Sequence, residues 1–165
     1  MGSHPGAPSG TASERRSDNS RGEEVAHAGV RGAVGAMAMT GMRTLTVSLG
    51  LLRESPPEAI ARQRARGLLR HVPRKRRRAV VEFVHWGYGV GGGAAFGILP
   101  RSVRDRAWAG PVYGLLSWLS FETVIAPALG LSQAKRFRPV DRLALAADHL
   151  LYGLVLSEGR RRPQH

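Results

Sequence analysis

Residues Ala79–Leu99 read AVVEFVHWGYGVGGGAAFGIL. A helix needs about 20 mostly apolar residues to cross roughly 30 Å of hydrocarbon, and this stretch has that length. It is apolar or small on every side, whereas a helix facing water carries a charged face. Its glycines argue the same way. Each costs up to about 1 kcal/mol in a water-exposed helix, but small residues four apart let helices in lipid approach closely. Only Glu82 and His85 interrupt the run with a carboxylate or an imidazole.

Three further stretches extend the pattern. Gly32–Leu52 carries one charge, Arg43; Trp108–Leu131 carries Glu122; the shorter Leu143–Leu156 carries Asp148 and His149. Together they predict an all-α integral membrane bundle of four transmembrane helices over 32–52, 79–99, 108–131 and 143–156, within a domain at 29–157. The competing reading is a soluble helical protein whose helices are buried in its own core. Small-residue spacing occurs at Gly32/Ala36, Gly87/Gly91, Gly89/Gly93, Gly93/Gly97 and Gly110/Gly114. Gly32, Gly89, Gly93, Gly97, Gly110 and Gly114 are therefore the expected helix-packing positions, and such stripes leave homo-oligomerisation open.

The flanks differ in composition. Residues 1–28 combine Gly, Ser, Pro and mixed charge with few large apolar groups, so they predict a disordered tail. A basic tail is expected at 158–165. Between the first two spans, 53–78 is rich in Arg. Its segment PPEAIARQRARGLLRHV suits a basic amphipathic helix lying on anionic headgroups, or a solvated loop. The run Arg74–Arg78 then abuts the second span.

The 165-residue chain holds 25 Lys and Arg against 12 Asp and Glu, a net charge of +13, and no Cys. Thiolate metal sites, disulfides and thiol catalysis are thereby excluded. So strong a basic balance suits nucleic acid or an anionic membrane surface. No nucleic-acid motif is present, so a basic nucleic-acid-binding protein is the weaker alternative and no such partner is expected. The connections after the first and third spans hold fourteen Lys and Arg, the other flanks ten. That margin narrowly favours both tails on the outer side.

His85-Trp-Gly-Tyr88-Gly89 and His149-Leu-Leu-Tyr152-Gly153 share the pattern His-x-x-Tyr-Gly, and Leu-Gly-Leu recurs at 49–51 and 129–131. Both repeats suggest a duplicated helical hairpin. Counted from the side of the basic connections, His85 and His149 lie about 9 Å inside and Arg43 and Glu122 about 13 Å inside, at 1.5 Å per residue. Charges at that depth cost at least a few kcal/mol each and should face inward and pair. The buried polar cluster expected is Arg43, Glu82, His85, Glu122, Asp148 and His149. Arg43 is expected to meet Glu122, with Asp148 or Glu82 as the competing partner. Pro127, five residues beyond Glu122, should bend the third span.

Glu82-Phe-Val-His85 places a carboxylate and an imidazole on one helix face, as in carboxylate-bridged metal bundles. Glu82, His85, Glu122, Asp148 and His149 could hold one divalent ion, which makes a membrane metal-binding protein or metalloenzyme a second alternative. Arg43 would repel that ion. No cofactor and no catalytic group is indicated, and no conventional Ser/His/Asp arrangement is present. The main reading is a layer that stabilises the bundle and handles protons or a small polar solute.

The chain resembles the YagU-like bacterial inner-membrane proteins between about Gly32 and Arg162. The resemblance rests on the small-residue first span, the His85–Gly97 segment ending at Pro100, and Gly110-xxx-Gly114 followed by Pro127-xx-Gly130-Leu131. It closes with His149-Leu150, Tyr152 and Arg160-Arg161. Glu122 stands where the family pattern has a His. The resemblance implies a multi-pass inner-membrane location and a helical bundle, without a reaction.

Overall fold

The computed structural model describes residues 12–50, 71–128 and 139–158. These residues are helical with short turns, and no strand occurs among them. Helix α1 spans Ala12–Ser48, α2 Arg74–Ile98, the single turn α3 Arg101–Arg104 and α4 Ala109–Ser120. α4 runs on through a π-helical turn, Phe121–Ile125, into the last turn α5, Ala126–Ala128. Helix α6 spans Pro139–Glu158.

Glycine sets the geometry. A Cβ on Gly32 would fall on the Gly89 carbonyl, one on Gly93 on the Ala28 carbonyl, and one on Gly97 within 2.8 Å of the Ala28 Cβ. So α1 and α2 cross antiparallel with their backbones touching. The second hairpin repeats the device, because Gly110 and Gly114 of α4 lie against Gly153 and His149 of α6. Side chains at these points would force the axes apart, which is why only the smallest residue fits. The glycine of each His-x-x-Tyr-Gly segment thus sits at a hairpin crossing. The tyrosines do not match: Tyr88 is exposed and Tyr152 is buried.

Tyr152 joins the hairpins. Its ring covers Gly35 of α1, and its hydroxyl donates to the Gly89 carbonyl at 2.6 Å. Tyr113 of α4 donates to the Gly92 carbonyl at 2.7 Å and meets Phe96 edge to face, with centroids 5.2 Å apart. Met39, Phe96, Ala109, Tyr152 and Leu156 form the small core that results. At the end away from the basic connection, Glu24 of α1 binds Arg101 and Arg104, and Arg104 Nη1 donates to the Gly97 carbonyl at 2.9 Å.

The surface inverts the usual distribution. Twenty-four large apolar side chains are exposed among the described residues, against eight apolar residues that are buried, three of them Ala. Val30, Val34, Met37 and Leu45 line the outside of α1; Phe83, Val84 and Val90 that of α2; Leu115, Leu116 and Leu119 that of α4; Leu143, Leu150 and Leu154 that of α6. The buried set includes Arg43 and Asp148.

Several boundaries differ from expectation. Residues 12–28, read as part of a disordered tail, are helical, because α1 begins at Ala12. Once a helix is anchored by packing, each further residue adds a hydrogen bond at little nucleation cost, so polar residues extend it. The first span was expected to reach Leu52, but α1 stops at Ser48 and Gly50 takes φ 71°, a left-handed backbone natural to glycine. Arg74–Arg78 belong to α2 rather than to the connection before it. Residues 56–70 of the amphipathic segment expected at 56–72, the second Leu-Gly-Leu, and residues 159–165 of the basic tail expected at 158–165 lie outside the described residues. The fourth helix has 20 residues rather than 14.

No helix among the described residues is long and apolar enough to cross a membrane by its own hydropathy. α1, α2 and α6 have 37, 25 and 20 residues. What each lacks is apolarity. Glycines, histidines and the ionic groups of the interior lower its average.

Candidate functional site

Four side chains, one helical turn apart on each of two helices, form the centre of the polar layer. Thr40 and Arg43 are on α1; Glu82 and Trp86 are on α2. Arg43 Nη2 donates to Glu82 Oε1 and Oε2, both at 3.1 Å. Thr40 Oγ1 lies 2.9 Å from Glu82 Oε2 and 3.1 Å from the Ala36 carbonyl, so its one proton chooses between them. It accepts from Trp86 Nε1 at 3.2 Å and, more weakly, from Arg43 Nη2 at 3.4 Å. The side chains of the ion pair are 6% and 14% exposed. A charge pair at that burial is held in one geometry by its extra hydrogen bonds, since bare Coulomb attraction offsets desolvation poorly.

Arg43 is therefore bound to Glu82, the competing partner, and not to Glu122. The reason is topological: α1 and α2 share the glycine crossing, so residues one to three turns beyond it on the two helices must face each other. Glu122 lies in the π-turn and pairs with Arg142 Nε of α6 at 3.2 Å. The π-turn ends two residues before Pro127. Proline lacks the N–H that an α-helix would direct at Thr123, and a widened turn is one way of absorbing that loss.

Around Arg43 stand three further members of the layer. His85, Asp148 and His149 each lie within its electrostatic reach, and the two histidines lie within reach of each other. Asp148 is 1% exposed. Its Oδ1 has no hydrogen-bond partner among the described residues, and neither does Nδ1 of His85. His149 Nδ1 is 2.8 Å from the Leu145 carbonyl. A carbonyl oxygen only accepts, so that nitrogen carries the proton and Nε2 is left as the basic one in the neutral ring.

The six expected residues thus fall into two groups. Arg43 and Glu82 are bonded to each other, His85, Asp148 and His149 each lie within the electrostatic reach of Arg43, and Glu122 lies apart with Arg142. Among the described residues no three His, Asp or Glu side chains are arranged to hold a metal ion. Glu82 is directed at Arg43 and Glu122 at Arg142, so the five candidate ligands do not converge. Thr40, Trp86 and Arg142 are bonded to these groups and were not among the six residues expected from sequence. Thr40 had a legible signal, because it lies one turn from Arg43 on the same face.

No protein-family profile, curated protein or solved structure matches the chain.

Proposed function

We propose that this chain is a multi-pass protein of the bacterial inner or plasma membrane, its helices enclosing the Arg/Glu/Asp/His layer and its outer apolar faces meeting lipid. One observation carries the reading: each long helix turns large aliphatic side chains outward at helical spacing, while Arg43 and Asp148 are buried. Water would penalise that arrangement at both surfaces. Scattered exposed apolar residues are ordinary, but stripes that run along every helix mark a surface that something apolar covers.

The low hydropathy of the single helices is compatible with this. An average over a helix counts its inward side chains, which lipid never meets. In a bundle, polar residues are tolerated where neighbours satisfy them, and glycines serve contact rather than solubility in hydrocarbon. Helix α6, with 20 residues, is about 30 Å long, close to the hydrocarbon thickness. Five consecutive cations, Arg74–Arg78, begin α2 and would meet anionic headgroups at one interface. The resemblance to YagU-like proteins points to the same location.

The layer has two roles in this reading. The Arg43–Glu82–Thr40–Trp86 network fastens the first hairpin, and the Asp148–His85–His149 side handles protons or a small polar solute. Membranes from cells expressing the full chain test the location. The protein should stay in the pellet through high salt and alkaline carbonate and leave only with detergent. Release by salt or carbonate would overturn the proposal, and would assign the apolar stripes to contacts between protein chains.

A further inference from the structure

We infer that the outward face of α2 binds one anionic phospholipid, its phosphate held by Arg74, Lys75 and Arg76 and an acyl chain lying along a furrow over Gly87 and Gly91. The inference deepens the membrane reading above and rests on it.

The charged end of this face carries an electrostatic conflict. α2 opens with five cations, Arg74–Arg78, and has no acid in its first turn. Cations at the start of a helix oppose its dipole, and like charges three or four residues apart repel. Arg77 Nε turns back to the Val72 carbonyl at 3.0 Å. Arg74, Lys75 and Arg76 are exposed, and they have no partner among the described residues. Glu82, the only carboxylate of α2, is engaged by Arg43. An anion from outside the chain removes the conflict, and a phosphate accepts charge-assisted hydrogen bonds from several cations at once.

The apolar part of the same face identifies the molecule that carries the phosphate. Arg76, Val80, Phe83, Gly87 and Gly91 recur at steps of three or four residues, so they share one side of the helix. Val80 and Phe83 are exposed. At Gly87 and Gly91 an added Cβ would meet nothing within 4 Å. These two glycines obey the small-residue spacing without packing against another helix among the described residues, so helix contact does not account for them. Tyr88 and Val90, both exposed, stand on either side, and the missing side chains between them leave a shallow furrow. From Val80 to Gly91 the helix rises about 16 Å at 1.5 Å per residue. That is close to half of a hydrocarbon core about 30 Å thick, the depth open to one leaflet's acyl chain. A nucleic acid or a free phosphate would use the cations but not the face beneath them.

The test uses full-length protein in a neutral detergent, titrated with dioleoyl phosphatidylglycerol or with dioleoyl phosphatidylcholine, and counts bound lipid by native mass spectrometry. Phosphatidylglycerol should bind saturably at one per chain, and phosphatidylcholine should not. R74Q/K75Q/R76Q should weaken that binding by about a hundredfold, at roughly fivefold per cation. R15Q/R16Q/R21Q removes as many cations from the start of α1 and should leave it unchanged. G87L/G91L fills the furrow and should also weaken binding while the thermal midpoint holds. Should that variant not fold, nuclear Overhauser contacts from the lipid's acyl protons to the Gly87 and Gly91 amides, in deuterated detergent, replace it; contacts to neither would count against the furrow. Equal binding of the two lipids, or equal loss in the two charge variants, would overturn the proposal. So would glycerol phosphate binding as tightly as the lipid, which would leave a free-phosphate site, or an oligonucleotide displacing the lipid, which would give the cations to nucleic acid. Failure in detergent leaves the membrane reading standing, whereas release of the protein from membranes by salt removes that reading itself.

Discussion

Arg43 on α1 and Glu82 on α2 are joined through one guanidinium nitrogen that lies 3.1 Å from both carboxylate oxygens. Removing either partner leaves the other charged, buried and unmatched, which costs roughly 3–5 kcal/mol. R43M and E82Q should each lower the thermal midpoint of detergent-solubilised protein steeply. The double variant R43M/E82L, which fills the site with apolar groups of similar volume, should recover most of the loss. Additive losses in the double variant would show that the two charges do not balance each other.

Thr40 gives a finer test of the same centre. Its hydroxyl bonds Glu82 and accepts the Trp86 indole N–H. T40V keeps the shape and leaves the indole without its acceptor, at a cost of about 1–3 kcal/mol for an unmet buried donor. A changed Trp86 emission, isolated by replacing Trp108 and Trp118 with Phe, is expected together with a lowered midpoint. T40S should restore both.

The fold was legible where side-chain size speaks and illegible where partners must be known. Gly32, Gly89, Gly93 and Gly97 could be chosen as contact points because small-xxx-small spacing puts them on one stripe. Gly87/Gly91 met the same rule and has nothing within 4 Å of either position, since two-residue offsets in a glycine-rich run point to different faces. The burial of Arg43 and Asp148 followed from the cost of a lone charge among apolar neighbours. The identity of Arg43's partner did not follow, because depth along a helix says nothing about rotation around it. Nor did the helicity of residues 12–28, whose support comes from packing farther along α1 and from the Glu24 contacts with Arg101 and Arg104.

That contrast among the glycines yields a prediction. G93V places branched carbons on the Ala28 carbonyl and Gly32 backbone, so the first hairpin should fail to close and folded yield should collapse. G87A and G91A meet open space and should leave stability unchanged or raise it by up to about 1 kcal/mol, the ordinary helix preference for Ala over Gly. Size-exclusion profiles and thermal midpoints of the three variants suffice. Equal damage from all three would mean that the second helix is rotated from its position here.

The two His-x-x-Tyr-Gly segments differ in what their tyrosines do. Tyr152 donates to the Gly89 carbonyl, whereas Tyr88 faces outward. Y152F should cost about 0.5–1.5 kcal/mol, the usual net value of one such bond, and Y88F close to nothing. Tyr113 makes the parallel contact at Gly92, so Y113F/Y152F should loosen the joint between hairpins more than either change alone. Faster amide exchange across α2 in that double variant would register it. An equal effect of Y88F would instead mean that both segments use their tyrosines alike.

At the opposite end, Glu24 holds two arginines whose situations differ. Arg101 is exposed, and its contact with Glu24 should weaken with added salt, as surface pairs do. Arg104 is only 16% exposed in its side chain and also donates to the Gly97 carbonyl, near the C-terminus of α2. A cation there satisfies a carbonyl that the helix leaves free and complements the negative end of its dipole. E24Q should therefore cost little, and the cost should vanish in high salt. R104A should cost more, by about 1 kcal/mol, and keep most of that cost when salt is raised, because the hydrogen bond to Gly97 does not depend on the ion pair. Thermal midpoints at low and high ionic strength separate the two contributions. If the R104A loss disappears with salt as the E24Q loss does, the link between the α2–α4 connection and α1 is electrostatic alone.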